Sequence, residues 1–422
     1  LEAGGWKQKE FIITMWLQPP ATDENYTVLV RDGYNLTNVS VAGQGALIPT
    51  REAVKLLDIA QKNGIKALIG NNRNCAPFID SLDNPTKKAE LDEMIDSVKN
   101  HPAFEGYYLF DEYSAVDFPK WGKVAKYLQE RDPDHLIYIN LYPTYATKEQ
   151  LGVFLKESPK GQTGFSDKFA GISTNKETIL AYNEHLKQFV EQFKPQLISY
   201  DHYNFLNTSY ETNYFLNLEL IRRAALNAGV PFLNIVQASA PDDAPNWRKP
   251  NKNELRWLAY TTLAYGGRGI SWYLYWGPKI FGGLYEDGKR MPEADFVAEI
   301  NHEIKALGPE LMKLNSTQVY QSEPLPPGAQ SITGCPVKTA GGQYVVGMFK
   351  DDDGKSDAFM IMNRDYKKAS TAKLTLNLGE GKLMEFSIAK REWIALKPVI
   401  SGSVFNVDLI PGGGKLFKIV KK

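Results

Sequence analysis

Two cysteines in 422 residues, Cys75 and Cys335, are too few and too far apart for a zinc cluster or a redox CxxC pair, and leave room for at most one disulfide. A charge surplus is missing as well. Lys+Arg and Asp+Glu both number 49, so the formal net charge is zero and nothing draws the chain onto nucleic acid or anionic lipid. No stretch of about 18 apolar residues occurs, which excludes a membrane-spanning segment of helical type. There is no glycine-rich phosphate turn after the first apolar run, where Gln18, Pro19 and Pro20 stand instead, and this argues against an open dinucleotide-binding sheet. Repeats and low-complexity tracts are absent. The chain opens LEAGGW, with neither an initiator methionine nor a signal segment. The expectation is a protein trimmed of its targeting sequence that works in the periplasm, on the cell surface or in the medium.

What is present suits a folded protein of more than one module. Hydrophobic residues make up 43% and charged residues 23%, enough for a large core. Aromatics reach 12%, with 8 Trp and 22 Tyr, and aromatic faces both pack well and stack on sugar rings. Apolar bursts of strand length recur at 11–17, 36–41, 65–69, 106–110, 136–141, 196–200, 231–236 and 269–274. Amphipathic stretches of helix length separate them, with Gly64 and Gly229 at helix ends. Eight strands alternating with helices predict an α/β fold, a (β/α)8 TIM barrel over residues 1–315. After a helix around Val297 and Leu307 and a proline-rich joint from Pro324, the texture changes to alternating runs at 344–349, 358–363, 374–378 and 384–388. These predict a small antiparallel β-sandwich over 316–422, with Phe349, Phe359 and Phe386 in its core and a structural rather than glycan-binding role.

Chemistry in such barrels sits at the C-terminal strand ends. Those positions carry Trp16, Asn71, Arg73, Asp111, Glu112, Asn140, Tyr142, Asp201, His202, Tyr203, Gln237, Trp272, Tyr275 and Trp276. Each has a plain reading: Asp111 and Glu112 suit a helix N-terminus, Asp201 and His202 suit a structural pair, and the strand-eight aromatics suit packing. Together they suit a hydroxyl-rich ring. His202 has no second histidine at ligand spacing, so no metal is expected, and no cofactor is called for. Glycoside hydrolysis uses two carboxyl groups, one protonated and one ionised. Glu112 is the expected general acid, Asp201 the second carboxylate, and Asp111 the neighbour that tunes Glu112 or orients substrate. Trp16, Trp272 and Trp276 are expected to stack on sugar. Asn71, Arg73, Asn140, Tyr142, His202, Tyr203, Gln237 and Tyr275 are expected to complete the substrate site, and the expected partner is an oligo- or polysaccharide.

The stretches Gly106-Tyr-Tyr-Leu-Phe-Asp-Glu112, Tyr138-Ile-Asn-Leu-Tyr-Pro-Thr-Tyr145, Ser199-Tyr-Asp-His-Tyr203 and Leu409-Ile-Pro-Gly-Gly-Gly-Lys-Leu-Phe-Lys418 resemble bacterial β-galactosidase-like glycoside hydrolases, related to the clan A barrel hydrolases. The resemblance spans nearly the whole chain. It implies an acid/base glutamate ending strand four after an asparagine, and a nucleophilic glutamate ending strand seven. Glu112 matches the first, with Asp111 in place of the asparagine. Gln237 stands at the second, and an amide is no anionic nucleophile. Three readings follow: Asp201 acts as nucleophile or base; the Asp111–Glu112 pair works as in hexosaminidases, where the substrate's acetamido group attacks and Tyr203 or Tyr275 holds it; or the barrel binds carbohydrate without turnover.

Overall fold

The computed structural model describes residues 5–39, 50–70, 80–153, 176–207, 213–352, 354, 356–399 and 403–420. Cys75, Asn71 and Arg73 lie outside the described residues. Cys335 is a buried free thiol.

All eight expected strands form: β1 (Ile12–Met15), β2 (Leu36–Val39), β3 (Lys66–Gly70), β4 (Phe104–Asp111), β5 (Leu136–Leu141), β6 (Ile198–His202), β7 (Phe232–Gln237) and β8 (Gly269–Tyr273). They make one parallel sheet in the order β1-β8-β7-β6-β5-β4-β3-β2. Asn35 joins its two ends. Its backbone N–H donates to the Ile13 carbonyl at 3.0 Å, its side-chain oxygen accepts from Ile13 N at 2.8 Å, and its amide nitrogen donates to the Phe11 carbonyl at 2.8 Å. The fold is the (β/α)8 barrel that the alternation of elements predicts.

Alternation along each strand divides the apolar residues into two shells. Ile12, Leu36, Leu68, Tyr108, Leu136, Tyr138, Leu233 and Ile235 fill the barrel, while Ile13, Ile69, Tyr107, Ile137, Ile198 and Ile270 face the surrounding helices. Helix ends follow local chemistry. Asn84 caps the helix Pro85–Val98 by accepting from Thr86 N and Lys87 N, with proline at its first position. Asn251 and Glu254 form a capping box on the helix Lys252–Ala264, and Glu254 is also held by both terminal nitrogens of Arg248 at 2.7 Å.

Beyond the barrel, thirteen further strands follow in order among the described residues. β9 (Trp276–Gly277), β10 (Tyr285–Glu286) and β11 (Lys289–Arg290) form a small sheet just after β8. The C-terminal strands β12 (Leu314–Gln321), β13 (Gln330–Ser331), β15 (Tyr344–Asp351), β16 (Asp357–Asn363), β18 (Lys382–Ser387), β19 (Glu392–Ala395) and β21 (Gly414–Val420) form a seven-stranded sheet. A three-stranded sheet of β14 (Lys338–Ala340), β17 (Ser370–Thr375) and β20 (Val404–Leu409) packs on it. Val346, Phe359, Ile361 and Phe417 of the first meet Ala372, Leu374, Phe405 and Val407 of the second in one core. Phe349 and Phe386 are buried too, against the barrel side.

The C-terminal sheets lie directly on the helix Lys252–Ala264. Trp257 donates its indole N–H to the Arg364 carbonyl at 3.0 Å, and Tyr265 OH accepts from Gln321 at 2.8 Å. The backbones approach so closely at Gly347 that an added Cβ would stand 1.8 Å from the Ala264 carbonyl oxygen. Gly347→Ala is therefore expected to cost about 1–3 kcal/mol, read as a lower midpoint of thermal unfolding. An unchanged midpoint would mean that the two layers part without cost.

Candidate active site

Three neighbouring strands bring the polar cluster together. Register places Asp111 opposite Asn140 and Asn140 opposite Ser199, with Asp201 two residues further along β6. Each of these points into the barrel mouth, because inward residues alternate: Tyr138 and Asn140 on β5, and Ser199, Asp201 and then Tyr203 along β6. On β4 a register shift between Tyr108 and Phe110 resets the alternation, so that Asp111 faces inward.

Glu112 would by alternation turn away from Asp111. It does not. Its φ of +53° puts it in the left-handed region, its N–H donates to the Asn140 carbonyl at 3.0 Å, and its carboxyl reaches Asp201. Adjacent residues thus both enter the mouth, in place of one inward and one backbone-bound carboxyl. A non-glycine residue held at positive φ costs free energy, and such strain gathers at functional positions.

The three carboxyls interact strongly. Burial, then the charges of Asp201 and Asp111, push Glu112 well above the usual carboxylate range, and its protonated carboxyl donates a hydrogen bond to Asp201. Burial and then the Asp201 charge push Asp111 up to about 8, against a hydrogen bond from Asn140 that acts in the opposite sense. Asp201 rises to about 6 by burial, restrained by hydrogen bonds from Asn140, Glu112 and the Tyr203 hydroxyl. Asp201 is the least raised of the three, and Glu112 and Asp111 are both pushed toward the protonated form. Asn140 Nδ2 donates to Asp111 at 3.1 Å and to Asp201 at 2.9 Å. Its Oδ1 accepts from the Ser199 hydroxyl at 3.1 Å, and Tyr138 OH lies 2.8 Å from Ser199 Oγ.

Aromatic rings wall this cluster. Tyr203 packs between Trp247 and Tyr273, each with its ring centroid at 4.6 Å, and Trp16 stands edge-on to Tyr108 at 5.6 Å. Tyr142 lies near enough to Glu112 for that charge to add to burial in raising its hydroxyl pKa. Trp276 is half-buried and stacks on Tyr285 at 5.4 Å beside the mouth.

Four expected site residues lie elsewhere. Trp272 faces outward from β8, fully buried, and donates to Asn301 on the helix Pro292–Leu311 at 2.8 Å, so it has no face for a sugar. Tyr275 is buried between Tyr34 and Tyr285, away from the carboxyls. His202 alternates outward from Asp201; its Nδ1 donates to Asn217 Oδ1 at 2.9 Å on the helix Tyr214–Ala228. Gln237 is fully buried and spent on backbone. Its oxygen accepts from Phe205 N at 2.8 Å, and its nitrogen donates to the carbonyls of Phe205 and Arg248, both at 3.0 Å.

This amide clamps the segment after β6 that carries Tyr203. A carboxylate there would face two carbonyls that need a donor. Gln237→Glu is expected to destabilise the protein by about 3 kcal/mol and to raise no activity. A stable, more active variant would show that the strand-seven position is a nucleophile site after all.

The cluster also contains residues to which sequence reasoning assigned no role. Tyr138 and Ser199 sit in motifs whose inward alternation would have revealed them. Trp247 lies in a loop, where no periodicity marks it. Among the described residues no group of three or more His, Cys, Asp or Glu side chains is arranged to hold a metal ion. No helix among them is long and apolar enough to cross a membrane.

No family model matches the chain, and no curated protein matches it. Solved structures do. A glycoside hydrolase family 5 structure from Bacteroides vulgatus shares 12% identity over 97% of this chain and 89% of its own, with a TM-score of 0.57. A structure named glycoside hydrolase shares 11% over 98% and 93%, also at 0.57. A β-galactosidase from Bacillus circulans sp. alkalophilus shares 9% over 97% and 99%, at 0.52. At such identities the likeness is one of fold, a barrel architecture that these glycoside hydrolase structures share.

Proposed function

We propose that this protein is a glycoside hydrolase acting on an oligo- or polysaccharide, with Glu112 as general acid and Asp201 as the ionised second carboxylate. The observation that carries the reading is the cluster of three carboxyls gathered about Asn140, whose Nδ2 lies 3.1 Å from Asp111 and 2.9 Å from Asp201 and whose backbone carbonyl accepts from Glu112 N at 3.0 Å, at the C-terminal mouth of a (β/α)8 barrel. Glu112 protonates the departing glycosidic oxygen as the bond to the anomeric carbon breaks. Asp201 then faces the positive charge that develops on the sugar, and serves as nucleophile or as base toward water. Trp16, Tyr203, Trp247 and Tyr273 supply the aromatic wall, and Trp276 stands at its edge.

One observation favours a second route. Paired-carboxyl hydrolases hold the two groups about 5–5.5 Å apart for retention, or about 6.5–9.5 Å for inversion, whereas the Glu112 carboxyl shares a hydrogen bond with Asp201. A substrate whose own 2-acetamido oxygen attacks the anomeric carbon needs no protein nucleophile. Asp111 or Asp201 then orients the acetamide, Tyr203 helps hold it, and Glu112 gives the proton.

Sugar release from a panel of aryl glycosides, with and without a 2-acetamido group, decides the matter. Release from plain glycosides supports Asp201 as the partner of Glu112. Release confined to 2-acetamido sugars supports the substrate-assisted route. Glycan binding with no release from any of them would replace hydrolysis by a carbohydrate-binding barrel.

A further inference from the structure

Asn140 is built as a junction. It is 2% exposed, on the middle of the three strands that carry the carboxyls, and every polar atom of its side chain is engaged. Two carboxylate oxygens accept from the one nitrogen, Asp111 Oδ1 at 3.1 Å and Asp201 Oδ1 at 2.9 Å. Behind it, the Ser199 hydroxyl donates to the amide oxygen at 3.1 Å, which leaves the Tyr138 hydroxyl as donor to Ser199 at 2.8 Å. The row therefore runs in one direction, Tyr138 to Ser199 to Asn140 to the two aspartates. A donor chain polarises its last N–H and fixes which way the amide faces.

We propose that Asn140 is a positioning residue that decides which carboxyl of the cluster carries the proton, rather than a group that binds a sugar hydroxyl. Its N–H groups favour the ionised form at both aspartates and act most on Asp201, the least raised of the three carboxyls, and no hydrogen bond joins it to the Glu112 carboxyl. Asp201 is accordingly the member that gives up its proton first, and Glu112 keeps one to offer it. Ser199 and Tyr138, both buried and one strand position or more behind the carboxyls, set the orientation of the amide without touching substrate. The titratable groups that face this junction are Asp111 and Glu112 from the end of β4, Asp201 from β6 and Tyr203 just after it, Tyr138 and Tyr142 from β5 and its end, and Tyr273 from β8.

The role of Glu112 as acid belongs to the hydrolase reading, so the test is split. Infrared absorption of protonated carboxyl groups, followed across pH in the full chain, needs no substrate. In Asn140→Ala the lowest-titrating carboxyl of the site, identified by its loss in Asp201→Asn, is expected to move up by about one to two pH units. That is the shift for losing one hydrogen bond to a charged group. Ser199→Ala and Tyr138→Phe are expected to move it the same way by less, and they serve should Asn140→Ala fail to fold. Where a glycoside is turned over, Asn140→Ala should move the acid limb of kcat/KM upward and lower kcat more than it raises KM. Unmoved titration in all three variants, or a raised KM with kcat and the pH profile intact, overturns the proposal and returns Asn140 to sugar binding. Absence of any turnover with the titration shift present would count against the hydrolase reading alone.

Discussion

Glu112→Gln is expected to lower kcat by about 10²–10⁴ on glycosides with poor leaving groups, the contribution of a well-placed general acid. The amide keeps the shape of the side chain and removes its proton, so the loss should depend on the leaving group. An aryl glycoside whose phenol departs unaided should lose far less than an alkyl glycoside or a natural glycan. The left-handed backbone at residue 112 is unchanged by the substitution, so the fold should persist, as circular dichroism would report. Equal losses for good and poor leaving groups would remove Glu112 from the acid role and leave it a binding contact. Retained turnover on the poor ones would move the acid to Asp111, the other carboxyl held in the protonated range.

Asp201→Asn should have an effect of similar size, about 10²–10⁴ in kcat if Asp201 is nucleophile or base, together with a change of pH dependence. On the proposed reading, the working form of the wild type has Asp201 ionised and Glu112 protonated. Activity is expected to rise as pH passes the value near 6 at which Asp201 ionises, and to fall at higher pH as Glu112 releases its proton. These limbs belong to the coupled cluster rather than to single residues. Removing Asp201 abolishes the acid limb. It also takes away a negative neighbour that raises Glu112, so the basic limb should move to lower pH. Stability follows the same logic. With Asp111 held near 8 against an unfolded value near 3.8, the folded chain binds more protons than the unfolded chain between those values, so stability falls as pH rises through that window. Asp201→Asn removes one source of the elevation and should flatten that fall in a set of thermal melts. A basic limb that stays in place, or melts of unchanged slope, would mean that Asp201 does not act on Asp111 and Glu112.

The legible part of this protein lies in its periodicities. Apolar bursts at 106–110, 136–141 and 269–274 are bounded by local signals, and strand formation there depends on near neighbours in sequence. Strand ends are where barrel chemistry gathers, so Asp111, Glu112, Asn140 and Asp201 could be named before any contact was known. Alternation within a strand was legible too, and applied to β6 it separates Asp201 and Tyr203 from the outward His202. Applied to β8 it turns Trp272 toward the helices, where Asn301 receives its indole N–H.

The remainder depends on contacts between segments far apart in the chain. The register shift in β4 and the positive φ of Glu112 are responses to β5 and β6, and they bring two adjacent carboxyls to one side where simple alternation would part them. Gln237 stands at a strand end like the others, but the backbone of residues 205 and 248 consumes both ends of its amide. Tyr275 is taken by Tyr34 and Tyr285. Sequence by itself determined the order of elements, the closed parallel barrel and the set of polar strand ends, because those rest on short-range pattern. Only the tertiary structure decided which of those ends meet and how far each carboxyl is pushed toward its protonated form, because burial and electrostatic coupling act through space between residues 29 to 61 apart in the chain.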